Sequence, residues 1–262
     1  MKTLGIDLAA QPERTAICTV TWDGGGAFAT IERGAGDDRL LELMTVPWDK
    51  IGIDCPLGWP EPFVDAITAH RKGKAWPGRN VEADEYRERA KYRLTDEIVH
   101  AKQGRWPLSV STDRIGVVAL RCALLLDRYA GKRKPIRRDG TGVIAEVYPA
   151  AAIRQWLPEA RGSYKRTDTH SALRALVEAV TADVQITFAD GSRELCETSH
   201  DAFDALICAL VARAVTLRQT RRPRSAKEIR RAATEGWIHV PKKSCALKGL
   251  TGEQAAELVA AG

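Results

Sequence analysis

Four aspartates carry the first chemical signal in this chain: Asp7 in "GIDLA", Asp54 in "GIDCP", and Asp201 and Asp204 in "SHDAFDALICALVARAV". Asp7 and Asp54 each end a short apolar run, where a strand of an open α/β sheet places its ligand-facing end. Each could cap the turn that follows, since Asp favours turns. The alternative is a site, because a carboxylate in apolar surroundings is costly unless it is paired, hydrogen-bonded or metal-bound. Asp201 and Asp204 are three residues apart and share a helix face. That face continues through Ala205, Cys208, Val211 and Val215. With Ser199 as N-cap, Asp201 falls in the first turn, where the helix dipole favours a carboxylate. Asp204 lies deeper, between Phe203 and Leu206, and capping does not account for it. Four carboxylates brought together would repel one another without a cation. An all-oxygen donor set suits Mg2+ or Mn2+ rather than zinc. Two such ions about 4 Å apart activate a water and stabilise the leaving oxygen of a phosphodiester.

Other residues are open to two readings. Glu146, in "VIAEVYP", is either a further catalytic carboxylate or a polar residue on the outer face of a half-buried strand. His200 either touches a phosphate or metal-bound water, or is a surface residue of a first helical turn. Arg93, Thr95 and Asp96 of "YRLTD" either contact a phosphate or form an intrahelical pair and cap. Lys165 of "GSYKRTD" is either an anion-binding residue or a solvated loop lysine. Cys55, beside Asp54, is either a reactive thiol or a small buried hydrophobe.

The elements that must position these residues follow from periodicity. "KTLGIDLA" and "KIGIDCPLGWP" read as strands of one character. "TAICTVTWDGGGAFATIERG" reads as a hairpin turning at the run Gly24, Gly25 and Gly26. Those glycines lead into another strand, whereas a phosphate-cradling loop leads into a helix. "GDDRLLELMTV" is a short helix with acids in its first turn. From Glu61 the pattern is helical and charged, too long for a simple crossover, which indicates a helical insertion over about 61–138. A strand from Val143 to Tyr148 follows, then a helix from near Pro149, the helix "HSALRALVEAV", and the buried helix that carries Asp201 and Asp204. "VQITFADGSREL" is read as an edge strand or hairpin, and "EGWIHVP" as a short final strand. Mixed elements behind a three-strand meander indicate an α/β or α+β sheet covered by helices.

Composition sets outer limits. The 262 residues fit one large domain, with 44% hydrophobic and 28% charged residues. No stretch nears the ~18 apolar residues of a membrane span, and the N-terminus lacks the apolar core of a secretory signal. The six cysteines are scattered without a C-x-x-C pair, which argues against a zinc site or disulfide framework. The expected location is therefore the cytoplasm, with no membrane partner. The formal net charge is +6, with basic clusters at 70–79, 131–138 and 218–231. Such clusters suit a polyanion such as nucleic acid, or are solvated loops and helix faces.

"GIDLA", "IDCPLG", "YRLTD", "EVYPA", "HDAFDALICALVA" and "EGWIHVP", in this order, resemble domain of unknown function family 429, a family of predicted RNase H-like nucleases. The acid order and the final D-x-x-D also resemble the RuvC-like branch of the RNase H-like superfamily. The resemblance covers nearly the whole chain. It implies a single RNase H-like domain over 1–262, with a mixed five-stranded sheet flanked by helices. The helical insertion then falls between strands four and five, and a basic extension covers about 218–262. It also implies a metal-dependent nuclease site in which Asp7, Asp54, Asp201 and Asp204 hold Mg2+ or Mn2+ by a two-metal mechanism. Glu146 joins them as a catalytic candidate, and Arg93, Lys165 and His200 as substrate-binding candidates. The RuvC-like pattern usually has Glu on the fourth strand, where this chain has the shorter Asp54. The expected partner is DNA or RNA, and the chain could form a homodimer. Two alternatives share the core fold: an ATP-binding phosphotransferase of the actin and sugar-kinase type, and a non-catalytic nucleic-acid-binding protein.

Overall fold

In β1 (Lys2–Asp7), Leu4 and Ile6 are fully buried on one face, while Gly5 and Asp7 alternate onto the other. The same alternation recurs in β4 (Lys50–Asp54), where Ile51 and Ile53 are buried and Gly52 and Asp54 take the opposite face. The two strands pair in parallel, with Gly5 opposite Gly52 and Asp7 opposite Asp54. The structure, a computed structural model, describes residues 1–23, 25–131, 135–158 and 170–251.

Among the described residues the sheet has seven strands. β2 (Ala16–Trp22) and β3 (Ala27–Arg33) form the expected hairpin beside β1. β5 (Ile144–Val147) lies parallel to β4. β6 (Ile186–Phe188) and β7 (Ile238–His239) add an edge on each side, giving the order β6-β3-β2-β1-β4-β5-β7. The mixed α/β sheet flanked by helices is thus as expected, but its strand count is seven rather than five. The difference lies in β6 and β7, three and two residues long, which "VQITFADGSREL" and "EGWIHVP" suggested as short strands but which the five-stranded core implied by the resemblance does not include.

Helices cover both faces. α1 (Asp37–Thr45) packs with α5 (Ile115–Ala130) on the face of Leu4, Ile6, Ile51 and Ile53. The other face is covered by α6 (Pro149–Trp156), α7 (His170–Val184), α8 (Ser192–Thr198) and α9 (His200–Thr216). Between β4 and β5 the chain also forms α2 (Glu61–Arg71), α3 (Ala83–Lys91) and α4 (Leu94–Gln103). α10 (Ala226–Glu235) packs on α4 and α2. All six cysteines are free and buried. Burial raises the Cys55 thiol well above its ordinary value, so it carries no reactive thiolate. No described helix is long and apolar enough to cross a membrane.

α9 is the central element. Ser199 caps it by accepting a hydrogen bond from the Ala202 amide at 3.3 Å, and every residue from Asp201 to Val215 is buried. Burying each of its larger apolar side chains contributes about 1.5–3 kcal/mol. Gly5 and Gly52 set how closely it packs. A β-carbon at Gly5 would run into the Ala205 carbonyl and the Ala209 amide, and one at Gly52 would lie 2.5 Å from the Cys208 carbonyl oxygen. The paired glycines therefore form a flat bed into which the helix backbone sinks.

Candidate metal centre

That bed lies two residues before Asp7 and Asp54, and strand alternation puts glycine and aspartate on the same face. Lowering α9 onto it brings the helix's second turn down to the two strand ends. Asp7, Asp54 and Asp204 consequently converge, each offering a carboxylate oxygen, and these oxygens all lie within 4.8 Å of one another. Asp204 is fully buried, and the two strand aspartates are half-buried. Cys208, one turn along α9, registers the local field. Its thiol is pushed well up by burial and, after that, by the charges of Asp54, Asp7 and Asp204.

Asp201 takes a different place from the one expected. It is absent from this cluster and faces cations contributed by the same end of the sheet. Arg33, ending β3, hydrogen-bonds its Oδ2 at 3.4 Å, and Arg14, just before β2, lies 3.9 Å from Oδ1. His200 Nδ1 is 2.8 Å from Oδ1, in ion-pair range but without hydrogen-bond alignment. Burial would raise the Asp201 carboxyl, but His200, Arg14 and Arg33 outweigh it and hold the carboxyl below its usual range. The four expected carboxylates thus form a cluster of three with a separately neutralised neighbour. One helical turn divides them, and Asp201 points toward the hairpin side.

Glu146 and Arg93 are not brought to the cluster. Glu146 is in register with Ile53, not Asp54, so its side chain leaves the opposite face of the sheet. There Arg93 binds it with two hydrogen bonds, of 2.8 and 2.7 Å, and the Leu57 amide donates to it at 3.0 Å. The same guanidinium donates to both oxygens of Asp96, at 3.0 and 2.9 Å, and to the Glu235 carbonyl at 3.1 Å. Asp96 in turn accepts the Arg93 amide at 2.9 Å, and the Thr95 hydroxyl accepts the Ile238 amide at 2.9 Å. "YRLTD" is therefore the bolt that fixes α4 to β5 and β7. With Arg93 only 1% exposed, it offers nothing to a substrate. Burial raises the Glu146 carboxyl despite the opposing pull of Arg93.

Lys165 lies outside the described residues. His200 is half-buried and lies against Asp201 rather than among the three clustered carboxylates. Sequence reasoning overlooked Gly5 and Gly52, although the twice-written G-I-D held the signal: a glycine two positions before an acid, on the same face. It also overlooked Arg14 and Arg33, whose part depends on the antiparallel hairpin bringing the start of β2 and the end of β3 beside Asp7.

A family model described as "Protein of unknown function (DUF429)" matches residues 5–228. No curated protein and no solved structure matches the chain.

Proposed function

The chain belongs to the DUF429 family, and from that premise we propose that it is a Mg2+- or Mn2+-dependent nuclease hydrolysing phosphodiester bonds of nucleic acid. The observation that carries this reading is the meeting of Asp7, Asp54 and Asp204 within 4.8 Å across two strands and a helix. The donor set fits the ion: it is all oxygen, and like charges at this spacing call for a cation or a shared proton. Asp7, Asp54 and Asp204 would hold the metal. Once bound, it supplies a water acidified toward neutral pH and charge neutralisation at the phosphate. Asp201 would complete a second site of a two-metal mechanism only after leaving Arg33. Arg14 and Arg33, both substantially exposed beside Asp201, would receive the phosphodiester, with His200 beside them. The net charge of +6 favours a polyanionic substrate. The strand order also supports an RNase H-like core, with β1, β2 and β3 antiparallel and β4 and β5 added in parallel.

The test is cleavage of labelled single- and double-stranded DNA and RNA with Mg2+ or Mn2+, with and without chelator. Asp7→Asn should lose more activity than the ~10–100-fold typical of losing an outer partner of a metal ligand, with a metal-free melting temperature that does not fall. A fully active Asp7→Asn protein would sink the assignment.

A further inference from the structure

Beyond the strand ends that carry the aspartates, the sheet edge at β7 opens into a cavity of about 470 Å3. It shares no lining residue with Asp7, Asp54 or Asp204. Ile98 and Val99 of α4, with Ile238 and Val240 at β7, give it an apolar floor. Its wall carries five cations: Lys102 from α4, and Arg221, Arg224, Lys242 and Lys243 from the segments flanking α10 and β7. None of the lining residues is acidic.

The cations differ in what already holds them. Arg221 lies over the Trp237 ring at 4.9 Å and binds Glu228 at 2.9 Å. The Lys242 ammonium donates to the Arg218 carbonyl at 2.7 Å. Glu228 accepts the Arg224 backbone amide at 2.7 Å, and Arg224, exposed, lines the cavity. Lys102 and Lys243 are exposed at the rim. The surplus positive charge registers on Lys102, whose ammonium is lowered from its ordinary value by burial and then by Arg221 and Arg224. A cavity of this size suits a small ligand rather than a polymer backbone. Several converging cations call for a polyvalent anion, and a guanidinium fork matches phosphate.

We propose that this cavity is a binding site for a free nucleotide-sized phosphate ester. Its phosphate sits on Lys102, Arg224 and Lys243, and its organic body rests on Ile98, Val99 and Val240. The same chemistry is offered by the phosphorylated end of a nucleic-acid strand, which the experiment separates.

Isothermal titration of the full chain with AMP, adenosine and a 5′-phosphorylated trinucleotide tests it. AMP should bind one-to-one and more tightly than either of the others. The rim variant Lys102→Glu/Lys243→Glu, whose two side chains are exposed, should weaken AMP at least tenfold with an unchanged melting temperature. Asp7→Asn should leave AMP binding intact, so this site and the nuclease reading stand or fall separately. Absence of saturable AMP binding, equal affinity for adenosine, or full affinity in the rim variant overturns the proposal. A trinucleotide that binds more tightly than AMP overturns the assignment to a free nucleotide.

Discussion

At the ends of β5 and β7, Glu146 and Asp96 close on the Arg93 guanidinium at 2.7 and 2.9 Å. At the ends of β1 and β4, Asp7, Asp54 and Asp204 close on one another. Both groups are carboxylate-rich, both bridge the sheet and a helix, and they lie on opposite faces. The first carries its own counter-charge and joins α4 to the sheet, a structural use of buried charge. The second gathers like charges at a strand end, an arrangement that favours an added cation. The contrast teaches that buried acids must be read by what faces them, and the register of a single strand decides that.

Removing the built-in cation is the harshest way to break the contrast. Arg93→Met leaves Glu146 and Asp96 buried opposite each other, and should cost about 3–5 kcal/mol in denaturant unfolding. Mg2+ should not restore it. If Mg2+ did restore it, the two acidic groups would be equivalent and the contrast would fail.

A second lever in the same region is pH. His239, fully buried at the end of β7, has Nδ1 2.9 Å from Thr220 Oγ1 and Nε2 3.2 Å from the Asp139 carbonyl. Its pKa is lowered to about 4 by burial, with Lys50 and Arg222 adding to the fall and Asp139 opposing it. A lowered histidine binds its proton more readily in the unfolded chain. Its contribution is therefore complete above the unfolded value near 6.5, is lost as pH falls toward 4, and is level below that. The loss should reach about 3 kcal/mol at most. The difference between wild type and His239→Gln, followed by unfolding across pH 4–7, should show this slope.

Gly5→Ala probes how the aspartate cluster is assembled. The new methyl group meets the α9 backbone, and such overpacking costs about 1–3 kcal/mol. It should also weaken the stabilisation that Mn2+ gives in thermal melts. Gly36→Ala, with nothing within 4 Å, is the matched control. A Gly5→Ala protein with native stability and native Mn2+ response would remove the glycine bed from the account.

The smallest effect separates the two groups by sign. Asp204→Asn removes one of three like charges, so the metal-free protein should gain up to ~1 kcal/mol and lose its melting response to Mn2+. Loss of stability in the metal-free protein would place Asp204 with the structural acids.

Much of this arrangement could be read from residue types and spacing. The apolar runs of β1 and β4, the hairpin, and the all-round apolar pattern of α9 are local signals, and each corresponds to an element of the fold. Asp7, Asp54 and Asp204 were legible as odd carboxylates in apolar settings. Glu146 was not separable from them, because "VIAEVYP" looks the same whichever face its acid takes. β6 and β7 were legible as short strands, but their pairing at the two edges of the sheet was not, because it is made with distant segments.

Sequence by itself determined which elements form and which acids sit at their ends, because helix and strand periods and burial preferences are properties of neighbouring residues. Tertiary structure alone decided which acids meet. Register set Asp7 beside Asp54 and sent Glu146 to the other face. The glycine bed set the height of α9, and one turn of that helix put Asp204 in the cluster and Asp201 against Arg33 and Arg14. A strand shifted by one residue exchanges its faces, so the placement of charge depends on pairings between distant segments.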